Sequence, residues 1–66
     1  MSLKWTDVQE IAIELDEVHP QVDPLTVNFV DLMGWVMQLP EFDDDKDHCG
    51  EKILEAIQAA WIEERD

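Results

Sequence analysis

Thr6-Asp7-Val8-Gln9-Glu10-Ile11-Ala12-Ile13-Glu14-Leu15-Asp16-Glu17-Val18 is the stretch on which the fold turns. Val8, Ile11, Ala12, Leu15 and Val18 recur at steps of three and four residues, which at ~100° per residue gathers them into one apolar stripe facing a core. Thr6 followed three residues later by Gln9 has the form of a capping box, so the helix is expected to open there. His19 precedes Pro20 and is pushed out of the helical region, which ends the helix near Val18.

The rest of the chain repeats this logic twice. Between Pro20 and Asn28 two prolines bracket a turn, with Asp23-Pro24 resembling an N-cap and first helical residue. Val27 to Val30 have strand-forming character, yet a lone strand has no partner in a helical text. A second helix, started by Asn28 or Asp31, should run to Leu39 with Leu32, Trp35, Val36 and Leu39 inward, and Pro40 stops it. Pro40 to Gly50 is too charged to be buried and too rich in Asp to be regular, so it reads as a connector tacked down by Phe42. A last helix, about Glu51 to Glu64, carries Ile53, Leu54, Ile57, Ala60 and Trp61 inward, with Glu51 and Glu55 outward and Glu51 near the positive helix end. The expectation is a mainly α protein, one small three-helix domain over residues 1–66.

Composition narrows the function classes. The chain has 66 residues, with 17 Asp and Glu against 4 Lys and Arg, and a formal net charge of −13. A chain this short buries only ~60% of the surface its unfolded form exposes, enough for one core and too little for a deep cofactor cleft. The apolar fraction of 45%, with Trp5, Trp35 and Trp61 as core anchors, is too high for a solvated disordered tail. A surface this negative repels phosphate backbones and anionic headgroups, which disfavours nucleic acid and membrane, and it attracts cations and basic protein patches. Cys49 is the single cysteine and cannot form an internal disulfide, and no apolar run of the export type opens the chain, so a cytoplasmic location is expected.

Two acidic motifs carry candidate chemistry. Asp7, Glu10, Glu14 and Glu17, spaced 3, 4 and 3, fall within an arc of roughly 80° beside the apolar stripe. A charged helix face is usually plain solvated surface. Here, however, like charges at these spacings destabilise a helix by a few tenths of a kcal/mol per pair, and no Lys or Arg on the helix relieves them. That uncompensated repulsion marks the four as candidate partner-binding residues. The second motif is Asp43-Asp44-Asp45-Lys46-Asp47-His48-Cys49. It is not a calcium loop, because His48 stands where that loop needs Gly and Leu54 where it needs Glu. It is not a closed zinc site either, since His48 and Cys49 are adjacent and lack further ligands. Loose carboxylate coordination of a hard cation such as ferrous or ferric iron, magnesium or manganese remains chemically sensible. Catalysis is not expected: Cys49 has only His48 beside it, surrounding Asp residues raise a thiol pKa, and no carboxylate is placed in an apolar pocket. Met33 and Met37, at i and i+4 away from Leu32 and Trp35, are either a soft contact patch or packing under a loop.

Leu3-Lys4-Trp5-Thr6-Asp7, Asp23-Pro24 with Val27 and Phe29, Trp35, Phe42-Asp43-Asp44-Asp45, and Glu51-Lys52-Ile53-Leu54-Glu55-Ala56-Ile57 with Trp61 together resemble the IscX family. These are small acidic proteins, also called YfhJ, encoded with the bacterial iron-sulfur cluster assembly machinery, and the resemblance covers essentially the whole chain. It implies a winged-helix-like domain of helix-turn-helix type that binds the cysteine desulfurase IscS and binds iron weakly through surface carboxylates. It further implies an adaptor or modulator of cluster assembly that competes with the bacterial frataxin and has no catalytic activity. Asp7, Asp43, Asp44, Asp45, Glu51 and Glu55 lie on the matched words, whereas Glu10, Glu14 and Glu17 rest on the stripe. Lys46, His48 and Cys49 lie in a variable linker. The helix-turn-helix shape would ordinarily suggest DNA, but charge overrules it.

The expectation is therefore a monomeric acidic adaptor that docks on a basic desulfurase surface through Asp7, Glu10, Glu14 and Glu17. It has no tightly bound cofactor, and Fe2+ or Fe3+ is held weakly, at the surface, by Asp43, Asp44, Asp45, Glu51 and Glu55. Other iron-sulfur assembly proteins are further candidate partners. A stand-alone iron carrier is the alternative, followed by a DNA-mimicking inhibitor.

Overall fold

A computed structural model describes residues 2–66. Three helices follow in order, α1 (Val8–Val18), α2 (Phe29–Met37) and α3 (Glu51–Arg65), with a single 3-10 turn at Lys46–His48 before α3. This is the small three-helix domain expected. Among the described residues no strand forms, and the one sheet-type pairing is a parallel bridge between Leu3 and Phe42.

The helices form because each presents an apolar stripe that only the others can cover. α1 packs chiefly on α3, bringing Ile11, Ala12 and Leu15 against Leu54, Ile57, Ala60 and Trp61, with Leu32, Val36 and Leu39 from α2 and its exit closing the cluster. Trp5 and Trp61 are the largest side chains wholly inside, while Trp35 is only half-buried, edge-on to Trp61 at 6.4 Å and tilted against His19 at 4.8 Å. Val18, the last residue of the α1 stripe, is half-exposed.

Three local features differ from expectation. α1 opens at Val8 with Asp7 in the capping position, and no Thr6–Gln9 box forms. The Lys4 N–H donates to Asp7 Oδ2 (2.9 Å) and the Asp7 N–H to the Lys4 carbonyl (2.9 Å), so a turn at residues 4–7 takes over the entry, and Gln9 Nε2 reaches Glu64 Oε2 instead (3.4 Å). α2 ends at Met37, two residues before Leu39. The Leu39 N–H already bonds back to Val36, an i to i−3 tightening imposed by Pro40, which disfavours helical geometry in the residue before it. At its start, by contrast, Asn28 caps α2: its Oδ1 accepts from the Asp31 N–H (2.8 Å) and its Nδ2 donates to Asp31 Oδ2 (3.1 Å).

The acidic connector is mostly exposed and irregular and is tacked down by Phe42, as expected; the third difference is that it also carries a 3-10 turn and a bridge to Leu3 and draws Asp44 partly inside. Leu3 and residues 41–43 pair through Leu3 N–H to Glu41 O (2.7 Å) and Asp43 N–H to Leu3 O (2.9 Å). This lays the N-terminal segment along the connector. Trp5 then buries its ring edge-on to Phe42 at 4.7 Å, its indole N–H donating to the Asp45 carbonyl (2.7 Å) and its backbone N–H to Asp44 Oδ2 (3.0 Å). A buried indole usually pairs its N–H, and the connector supplies the acceptor for Trp5, whereas the buried Trp61 Nε1 has no partner among the described residues. Only 14% of the Asp44 side chain stays exposed, because its carboxylate accepts three hydrogen bonds that replace water.

Candidate functional site

The acidic residues separate into two sets with different surroundings. Asp7 at the α1 cap and Glu10 and Glu14 on α1 line one open groove together with Ser2, Leu3 and Glu41. The groove exists because the bridge at Leu3 carries the connector past the foot of α1, and the 2.7 Å bond from the Leu3 N–H to the Glu41 carbonyl fixes Glu41 there. Four carboxylates thus share its rim, and among the described residues no Lys or Arg lines it. Lys4, the cation of the neighbouring segment, is turned instead toward Asp43, its Nζ donating to the Asp43 carbonyl and lying 3.8 Å from Asp43 Oδ2.

The structure therefore joins three of the four α1 residues singled out by spacing. Glu17 is exposed near the far end of the helix, outside the groove. Next to it Asp16 pairs with Arg65 of α3, whose Nη2 also donates to the His19 carbonyl at the end of α1 (2.8 Å). Glu41 is the member that sequence reasoning missed. It stands 27 positions from Glu14, beyond any helical period, and the one available signal was its place beside Phe42: if Phe42 tacks the connector to the body, its neighbour turns outward.

The connector set is differently engaged. Asp44 works as an internal bracket, accepting from the Trp5 and Asp45 N–H groups and meeting His48 Nδ1 at 2.7 Å. The Trp5 amide, then His48 and the Asp45 amide, lower its pKa from 3.8 to about 2. The reverse effect raises His48 above its ordinary 6.5, through the hydrogen bond to Asp44 and the negative field of Asp44, Asp45 and Asp47. Asp43, Asp45, Glu51 and Glu55 are exposed. Among the described residues no three His, Cys, Asp or Glu side chains converge in a metal-binding arrangement. The Cys49 thiol is raised in pKa, as expected, but the cause is burial against the core and not the Asp run. A raised thiol is a poor nucleophile near neutral pH.

No helix is long and apolar enough to cross a membrane among the described residues. Comparison with known proteins identifies the family. Residues 3–66 match the model of a family described as iron-sulphur cluster assembly. The chain is also 74% identical to an uncharacterized protein of Pseudomonas aeruginosa over 66 residues, all of both chains. With nearly its whole length matched, the chain belongs to the iron-sulphur cluster assembly family, the family that contains the IscX proteins.

Proposed function

We propose that this protein is a non-catalytic accessory of iron-sulphur cluster assembly that docks, through the groove of Asp7, Glu10, Glu14 and Glu41, on a basic surface of the cysteine desulfurase in the cytoplasm. The observation that carries this reading is the convergence of four carboxylates, from α1, its capping residue and the connector, on one groove whose lining, among the described residues, includes no Lys or Arg. Such an arrangement weakens the isolated protein by self-repulsion and is relieved only by a positive partner, which it also steers into encounter. Iron is cargo in this reading, held in rapid exchange by exposed carboxylates, including Asp43, Asp45, Glu51 and Glu55.

Calorimetric titration against the purified desulfurase at about 25 mM and about 300 mM salt tests the docking, since exposed charge pairs weaken as the Debye length shrinks from roughly 20 Å to below 10 Å. Affinity should fall at least tenfold across that range, and reversing Glu10 and Glu14 to Lys should abolish binding while far-ultraviolet circular dichroism stays unchanged. Binding that ignores salt, or survives the reversal, would remove the groove from the mechanism. Anaerobic titration with ferrous iron addresses the cargo. Weak binding that declines gradually as carboxylates are neutralised one by one agrees with it, whereas a single tight site points to a stand-alone carrier.

A further inference from the structure

α2 is the anomaly in a chain dominated by carboxylates. Of its nine residues, Phe29–Met37, only Asp31 is charged. At ~100° per residue Val30, Gly34 and Met37 fall on one side of the helix, opposite the buried Leu32 and Val36. That side faces outward, with Val30 77% and Met37 39% exposed.

Gly34 sits in the middle of this face, and nothing in the isolated fold requires a glycine there. It has no positive φ, and a Cβ built on it meets no atom within 4 Å. Glycine inside a helix costs stability relative to alanine, and its compensating uses are unusual backbone angles or the close approach of another group. The first use is absent, which leaves approach from outside.

Area and charge identify the occupant. A nine-residue helix is about 13 Å long and about 10 Å wide, so its face offers on the order of 130 Å². A stable interface needs about 800 Å² per partner, so this face is one part of a larger contact. A second copy would oppose two chains of net charge −13, which disfavours self-association and favours a partner of opposite charge. Met37 is also only four residues from Glu41, at most ~14 Å even for fully extended chain, so the end of the apolar face lies close to the rim of the acidic groove.

We propose that the basic partner held by the acidic groove also seats an apolar row of its own against Val30, Gly34 and Met37, with its backbone or a large side chain entering the notch above Gly34. This rests on the desulfurase docking reading and adds a contact insensitive to salt. The test is titration of the desulfurase with the wild-type chain and with Gly34→Gln, Val30→Gln and Glu10→Gln/Glu14→Gln, each at low and high salt. Gly34→Gln should keep the fold, raise Tm by about 2 to 6 °C as a helix-forming replacement, and weaken binding at least tenfold with an unchanged salt slope. Val30→Gln should weaken it severalfold in the same way, whereas the double glutamine variant should flatten the slope. Binding by Gly34→Gln and Val30→Gln within twofold of wild type would overturn the apolar contact and leave the groove reading intact. Absence of binding by the wild-type chain would overturn both.

Discussion

Asp44 and His48 illustrate how a residue that composition assigns to solvent becomes structural. Both lie in a run of acids, yet one carboxylate ties Trp5, the start of the 3-10 turn and an imidazole together. The signs of the two shifts define a pH window. His48 is raised, so its contribution is fully present below its unfolded value of 6.5 and is lost as pH rises through the folded value. Asp44 is lowered, so its contribution is present above 3.8 and is lost as pH falls through about 2. The bracket is therefore tightest between roughly pH 4 and 6.5. Proton NMR titration should place His48 above 6.5, and Asp44→Asn should return it toward the ordinary value while changing Trp5 fluorescence. An unshifted His48 would show that the pair does not persist in solution.

At the scale of elements, the helix ends are unequal. Asn28 exchanges hydrogen bonds with Asp31 and caps α2, whereas Thr6 caps nothing. Asn28→Ala should cost about 1 kcal/mol in urea unfolding and Thr6→Ala only a few tenths, and the reverse order would restore the capping box. α1 carries its repulsive acids at one end and is clamped at the other by Arg65, which pairs with Asp16, donates to the His19 carbonyl and lies 5.7 Å from the Trp61 ring centre. Arg65 and Asp16 are about one-third exposed, so solvent discounts the pair. Arg65→Ala should cost about 1 kcal/mol, part of it lost with added salt. Glu10→Gln and Glu14→Gln should each stabilise the free protein by a few tenths of a kcal/mol while impairing docking, a trade expected where surface charge is kept for a partner.

For the whole molecule, 66 residues at ~0.05–0.15 kcal/mol each give a total stability of only about 3 to 10 kcal/mol. Trp61 is fully buried at the junction of all three helices, and truncating a core tryptophan costs about 3 to 5 kcal/mol. Trp61→Ala should therefore lose most or all of its cooperative urea transition, and a sharp transition near the wild-type midpoint would contradict this account of the core. The three helices and their inward faces were legible in the sequence because helical burial repeats every three to four residues, so Ile11, Leu15, Leu32, Ile57 and Trp61 announce themselves by spacing. So were Glu10 and Glu14, neighbours on α1, and Asp7 at its cap. What only the tertiary structure decided is non-local: the Leu3–Phe42 bridge, the inward turn of Asp44 toward Trp5, and the arrival of Glu41 beside α1. Those contacts join residues about 27 to 40 positions apart, where no periodicity links partners. They are favoured because Trp5, once drawn inside by its apolar area, gains from acceptors for its indole and backbone N–H groups, which the connector supplies through the Asp45 carbonyl and Asp44 Oδ2.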